Sequence, residues 1–279
     1  MTNAATPAAV STGFARVYQV NDVEYLLHSG PDMINTHLRA RQTWEPTTLT
    51  VAQLLLRGEI NPVVVDVGAN LGAFAIPTAK WLKTQNGTLY AFEPQRMVYY
   101  QLCANLFLND LHNVKAYQYA VGEHYGNISV PQLNMHTERN SGGLSLDADI
   151  RKMQGVCSTL SGSATESVEL KTLTMMNLPR VHLIKIDVEG LELEVLKGAR
   201  KWIKQSNHPA ILFEVWGDYM TQLIPKREAL LKFVTETLGY EVALIGELCI
   251  AQHPERKKFN VVPNLAEKTV SFVPVPISI

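Results

Sequence analysis

Hydrophobic positions along this chain change period in a regular order. Residues 62–67, Pro-Val-Val-Val-Asp-Val, form a short β-branched run of the kind buried on both faces of a parallel sheet. Leu71, Phe74, Ala75, Thr78, Ala79 and Leu82 then recur at helical spacing, and Gly87 closes that segment before a second strand run at 88–92. A helix over about 97–108, with Leu102, Asn105 and Leu106 on one side, leads into a third run at 114–121. The stretch 126–162 loses its period, with Ile128-Ser129-Val130 as a short apolar piece, and reads as an excursion from the core. Strand character returns at 167–171 and 181–187. A helix over 191–204 follows, with Leu191, Val195, Leu196, Ala199, Trp202 and Ile203 on its packing face. A run at 210–215 and a helix over 226–238 come next, and Gly239 suits the left-handed position after a helix.

Strands alternating with helices predict one doubly wound α/β domain over 61–279, with residues 1–60 as a tail and partly helical cover. Ligands of such sheets bind beyond the carboxyl ends of the strands, near the switch in strand order. The residues expected there are the turn 66–72, Glu93-Pro94, Ala120-Val121-Gly122, the segment 187–190, and Glu214-Val215-Trp216.

Composition narrows the partners. Of 279 residues, 46% are hydrophobic, which excludes a disordered chain; 25 basic against 26 acidic side chains leave no field to attract nucleic acid or an anionic membrane. No nucleic-acid partner is expected, and no apolar run reaches the length of a membrane span. Residues 1–15 lack the cation and apolar core of a signal peptide, so the expected location is cytoplasmic. Cys103, Cys157 and Cys249 match neither a zinc knuckle nor a disulfide framework and are read as reduced packing residues.

The turn Asp66-Val67-Gly68-Ala69-Asn70-Leu71-Gly72 places two glycines four apart with Asn70 between them, and Asn tolerates left-handed backbone angles. Backbone can therefore approach a ligand closely. A dinucleotide fingerprint would need a glycine where Asn70 stands and another at Ala73, which disfavours a nicotinamide-dependent oxidoreductase. The spacing fits an acidic-x-G-x-(G/N)-x-G turn, whose leading carboxylate, Asp66, orders the loop or faces a cationic amino group such as that of S-adenosylmethionine. Glu93, 27 residues beyond Asp66 and after the second strand, is placed to accept both hydroxyl hydrogens of a ribose. Val121 offers an apolar wall for an adenine.

Lys185 and Asp187 leave the same face of an otherwise apolar strand, where an unpaired charge would cost several kcal/mol, about 2–7 even for a neutral polar group, so they are expected to be paired or functional. Glu189 and Glu192 open the next helix, where the macrodipole favours negative charge. Glu214 ends the following strand, beside Asp187 if the two strands are neighbours. A carboxylate there can take the proton of a hydroxyl nucleophile. His136, with Arg139, Asn140, Ser141, Gly142 and Gly143, belongs to a polar stretch read as an acceptor-binding loop, with a plain solvated loop as the competing reading. A divalent cation on Asp187, Glu189 and Glu214, with His136, is the less favoured alternative, since these acids match no chelating motif.

Together, Asp66 to Gly72, Phe92-Glu93-Pro94, Ala120-Val121-Gly122, Ile184-Lys185-Ile186-Asp187-Val188-Glu189-Gly190-Leu191-Glu192 and Val195-Leu196-Lys197-Gly198-Ala199 resemble the FkbM family of S-adenosylmethionine-dependent methyltransferases, over roughly residues 43–262. The resemblance implies a Rossmann-like class I methyltransferase fold, a mostly parallel seven-stranded sheet with helices on both faces and its last strand antiparallel. It implies O-methylation, with hydroxyls of sugars or other small molecules as acceptors. By position, Asp66, Gly68, Asn70, Gly72 and Glu93 resemble the cofactor residues, and Asp187 and Glu189 the signature lining the cleft. Where the family pattern leads one to expect Leu-Asp, this chain has Leu173-Thr174. The loss there is of either a structural cap or a cleft carboxylate. A non-catalytic protein that binds the same cofactor is the remaining alternative.

Overall fold

A computed structural model describes residues 13–153, 164–264 and 269–275. The chain begins with strands β1 (Ala15–Val20) and β2 (Val23–His28) and helices α1 (Met33–Arg39) and α2 (Pro46–Leu56). Then come β3 (Val63–Val67), α3 (Ala75–Lys83), β4 (Thr88–Phe92), α4 (Arg96–Leu108), β5 (Val114–Tyr117), β6 (Ala120–Val121), β7 (Gly126–Pro131) and α5 (Ala148–Met153). The second half holds β8 (Thr165–Lys171), β9 (Leu183–Ile186), α6 (Glu192–Gln205), β10 (Ala210–Glu214), α7 (Ile224–Lys232), β11 (Glu241–Ile245), β12 (Leu248–Gln252), β13 (Phe259–Asn264) and β14 (Thr269–Pro274).

Seven strands form the central sheet in the order β11-β12-β10-β9-β3-β4-β5. All its pairings are parallel except those of β12, the last of the seven in sequence, which runs antiparallel between β10 and β11. This is the sheet that the resemblance implies, mostly parallel with its last strand antiparallel. Alternation along each strand assigns the two faces. Val64, Leu89, Leu183 and Leu212 join one core with α2, α3 and α4, while Val65, Tyr90, Ile184 and Ile211 join the other with α6 and α7. Each such aliphatic side chain, fully buried, contributes about 1.5–3 kcal/mol. Residues of β2, α1 and α2 share the first of these cores.

Four details differ from the sequence reading. The helix expected from Leu71 starts at Ala75, because Asn70 (φ 49°) and Gly72 (φ 96°) hold the preceding turn left-handed. The run 114–121 is two strands: β6 leaves the main sheet and pairs in parallel with β8. The excursion after residue 126 contains β7, which pairs antiparallel with β8 from Gly126 to Pro131. Its partner lies dozens of residues on, so local periodicity carries no sign of it. The last helix ends its α-helical part at Lys232 and continues as a π turn, Phe233–Thr237, before Gly239 at φ 78°. Cys103 and Cys249 are free thiols; Cys157 lies outside the described residues. No described helix is long and apolar enough to cross a membrane.

Asn105 couples these layers. Its fully buried amide donates to the Leu71 carbonyl (2.9 Å) and accepts from the Leu26 amide (2.6 Å), joining α4 to both the glycine turn and the N-terminal hairpin. Asn105→Ala leaves both backbone groups without partners, each at about 1–3 kcal/mol. The expected outcome in urea denaturation is a fall of about 2–4 kcal/mol with little change in slope.

Candidate functional site

The strand order reverses between β3 and β9, and the chain's chemistry gathers at their carboxyl ends. Gly68 (φ 81°) donates to the Phe92 carbonyl at 2.9 Å. A Cβ built there would stand 1.8 Å from the Asp187 carbonyl oxygen, so only glycine lets the two turns touch. Gly72 is needed for a different contact: a Cβ would meet Ile76 and Leu102 at 2.7–2.9 Å. Asn70 donates its amide to Glu93 Oε2 (2.9 Å), and Gln95 donates to Glu93 Oε1 (2.8 Å). Two backbone donors thus orient the Glu93 carboxylate. Burial pushes its pKa up to about 7 against the pull of those hydrogen bonds.

Gly68, Asn70, Glu93, Val121, Lys185, Asp187, Glu189 and Glu214 line one cavity of about 190 Å³. Tyr119 and the loop Asn140 to Gly143 form part of its wall. That loop is tied down by Asp32, whose Oδ2 accepts from the Ser141 amide (2.9 Å) and hydroxyl (2.7 Å). Val121 owes its place to a close approach: a Cβ on Gly198 of α6 would stand 2.0 Å from the Gly122 carbonyl oxygen. The departure at Thr174 is structural, since its hydroxyl donates to the Gly198 carbonyl at 2.6 Å and it does not line this cavity.

Three expected site residues stand apart from the cavity wall, the first being Gly72, which faces Ile76 and Leu102. Asp66 is fully buried beneath that wall, and its carboxylate faces Lys185, with Nζ 3.6 Å from Oδ1. Burial pushes its pKa up to about 6, opposed mainly by Lys185. His136 is not brought to the carboxylates. Its ring packs on Phe14, centroids 4.6 Å apart, and lines a separate surface groove.

Register across β3 and β9 sets Lys185 opposite Asp66, and Lys185 Nζ also reaches Asp187 Oδ2 at 3.0 Å. Burial alone would lower the lysine pKa; Asp187 and Asp66 outweigh it and push it above its ordinary value. Strands β9 and β10 are adjacent with Ile186 opposite Phe213, so Asp187 and Glu214 are indeed neighbours. One oxygen each of Asp187, Glu189 and Glu214 lies within 4.8 Å of the others, a set of hard donors able to surround a divalent cation. Glu189 is pushed up to about 9, first by burial and then by Asp187 and Glu214. Glu214 is pushed up to about 8, first by burial and then by Asp187, Glu247 and Glu45. Glu192 Oε1 accepts from the amides of Val188 (3.1 Å) and Gly190 (3.2 Å) and so holds the turn in which Glu189 (φ 54°) and Gly190 (φ 91°) are left-handed.

Sequence reasoning missed Glu45 and Glu247. Glu45 precedes α2 in a left-handed conformation (φ 43°), and Glu247 lies in the turn between β11 and β12. Both line a second cavity of about 300 Å³ that shares Glu45, Lys185, Asp187 and Glu214 with the first. Only the pairing of Glu45 with the Pro46 that starts a helix was visible locally.

The sequence profile of the family described as Methyltransferase FkbM domain matches residues 66–242. Methyltransferase sdnD of Sordaria araneosa is 31% identical over 204 residues, covering 65% of this chain and 74% of that protein. Methyltransferase 1 of Beauveria bassiana is 25% identical over 195 residues, covering 65% and 73%. Among solved structures, methyltransferase FkbM from Methylobacillus flagellatus KT superposes with a TM-score of 0.45 at 18% identity. The match covers 79% of this chain and 52% of that one, about half its length.

The raised carboxylates carry a sign for stability. Glu214 and Glu189 bind protons in the folded chain at pH values where the unfolded chain has released them, so stability falls as pH rises from the ordinary carboxylate range through about 8 and 9. Urea midpoints measured from pH 5 to 9 should decline, and Glu214→Gln, which stays neutral throughout, should flatten that decline.

Proposed function

The chain belongs to the FkbM methyltransferase family, and on that premise we propose that it is an S-adenosylmethionine-dependent O-methyltransferase acting on a hydroxyl of a carbohydrate or glycosylated small molecule. Residues 61–279 then form the catalytic domain and the preceding segment its cover. The observation that carries the reading is the junction of the glycine turn with Asp187 and Glu93 in one cavity.

The residues present suit this cofactor. Glu93, fixed by two backbone amides, keeps lone pairs for a ribose diol; Val121 and Tyr119 offer walls for an adenine; Asp187 and Glu189 suit an amino group. When bound, the cofactor supplies a methyl group on a sulfonium centre. Asp66 acts beneath the site, holding Lys185 and through it Asp187. Glu214, with its pKa near 8, is in its ionised form a stronger base than an ordinary carboxylate, and the fraction able to take a hydroxyl proton grows as pH rises through about 8. Asp187 aligns the nucleophilic oxygen, and both carboxylates face the cavity shared with Glu45 and Glu247. Lys185 is the one cation among that second cavity's lining residues. Carboxylates accept from hydroxyl donors and repel phosphates, which favours a neutral polyol as acceptor.

Labelled methyl donor offered with a panel of glycosides should leave label on oxygen; label on nitrogen alone would overturn the assignment. Titration calorimetry with S-adenosylhomocysteine should show binding to the wild type that Glu93→Ala largely abolishes. Glu214→Gln should lower kcat by about 10²–10⁴ while product-cofactor affinity stays within about tenfold.

A further inference from the structure

At the amino end of β10, three side chains of metal-ligating type meet without a role in the chemistry above. His208 lies in the turn between α6 and β10, and His253 follows β12; Ile211 opposite Ala251 in the antiparallel pair β10/β12 brings them together at the amino end of β10. Their rings stack, centroids 3.9 Å apart and 17° between planes. Glu255 Oε2 stands 3.9 Å from His253 Nδ1, and one donor atom from each of the three residues lies within 4.8 Å of the others. His208 Nδ1 is buried with no hydrogen-bond partner. Asn207 (φ 59°) and His208 (φ 54°) of this turn are both left-handed. Tyr240 closes the far side, its ring 5.4 Å from His253 and its hydroxyl donating to the Pro209 carbonyl at 2.7 Å. The adjoining Arg256 places no unpaired charge there, since its guanidinium is held by Glu59 at 2.9 Å.

From this arrangement we infer that His208, His253 and Glu255 form a site for a zinc-class divalent transition ion. Two imidazoles and one carboxylate are a donor set that zinc takes, with water in a fourth position, whereas magnesium and calcium prefer all-oxygen shells. Binding requires the two rings to turn out of their stack so that each points a nitrogen at a common centre. The ion then clips the α6–β10 turn to the end of β12. Because the site sits at the amino end of β10, away from the cavity at that strand's carboxyl end, its role is structural and cofactor binding is independent of it.

The test uses the full chain, stripped with a chelator and titrated with Zn²⁺ and with Co²⁺. One equivalent should bind, with the visible absorption of tetrahedral cobalt and a rise in melting temperature. His253→Gln and Glu255→Gln should each weaken uptake by about tenfold or more, and Glu214→Gln should not. Glu255 is largely exposed, its side chain 74% accessible, so Glu255→Gln tests the site without a risk to folding. Absence of stoichiometric uptake by the wild type, uptake that survives in both of these variants, or uptake lost in Glu214→Gln would each overturn the proposal.

Discussion

The site is organised around one buried ammonium. Lys185 sits between Asp66 on the neighbouring strand and Asp187 two residues along its own, at 3.6 and 3.0 Å. Neither Lys185 nor Asp66 could stand alone as a charge at this depth, whereas Asp187 keeps part of its side chain open to the cavity; breaking a buried pair by removing one partner costs about 3–5 kcal/mol. The triad therefore fixes the register of β3 against β9 as well as the direction of the Asp187 carboxylate. Phe74 at the start of α3 adds a ring face 5.8 Å from the ammonium.

Backbone contact enforced by glycine is the second constraint. Gly68 lets the turn after β3 touch the chain at Asp187, and Gly198 lets α6 touch the chain at Gly122. These two approaches set the separation between Glu93, Val121 and the carboxylates, which arrive from four different strand ends. Larger side chains at either glycine would push the walls of the cavity apart before altering any residue that lines it.

The N-terminal segment contributes more than a cover. Trp44 and Glu45 line the first cavity, and Asp32 anchors at Ser141 the loop that forms part of its wall. Burial would raise the Asp32 carboxyl, but hydrogen bonds from Asn35 and Ser141 outweigh it and hold it below its ordinary range. Together with Glu247, this segment surrounds Asp187 and Glu214 with further carboxylates, and that crowding, added to burial, raises Glu214 toward neutrality.

Local sequence was enough for the parts governed by short-range physics. β-branched runs with Gly turns marked the central strands, apolar residues at helical spacing marked α4 and α6, and Lys185 and Asp187 were legible as paired or functional because a lone charge on a buried strand face is costly. Gly68, Asn70 and Glu93 were legible from turn geometry and spacing. Tertiary structure decided what depends on distant partners. It sent β6 out of the main sheet to β8 and put Asp66 under Lys185 instead of on the cavity wall. It left His136 against Phe14 and drew Glu45 and Glu247 into the cleft. The physical reason is that periodicity reports which face of an element is buried, whereas the identity of what lies across that face is set by sheet order and chain crossings, which no local window contains.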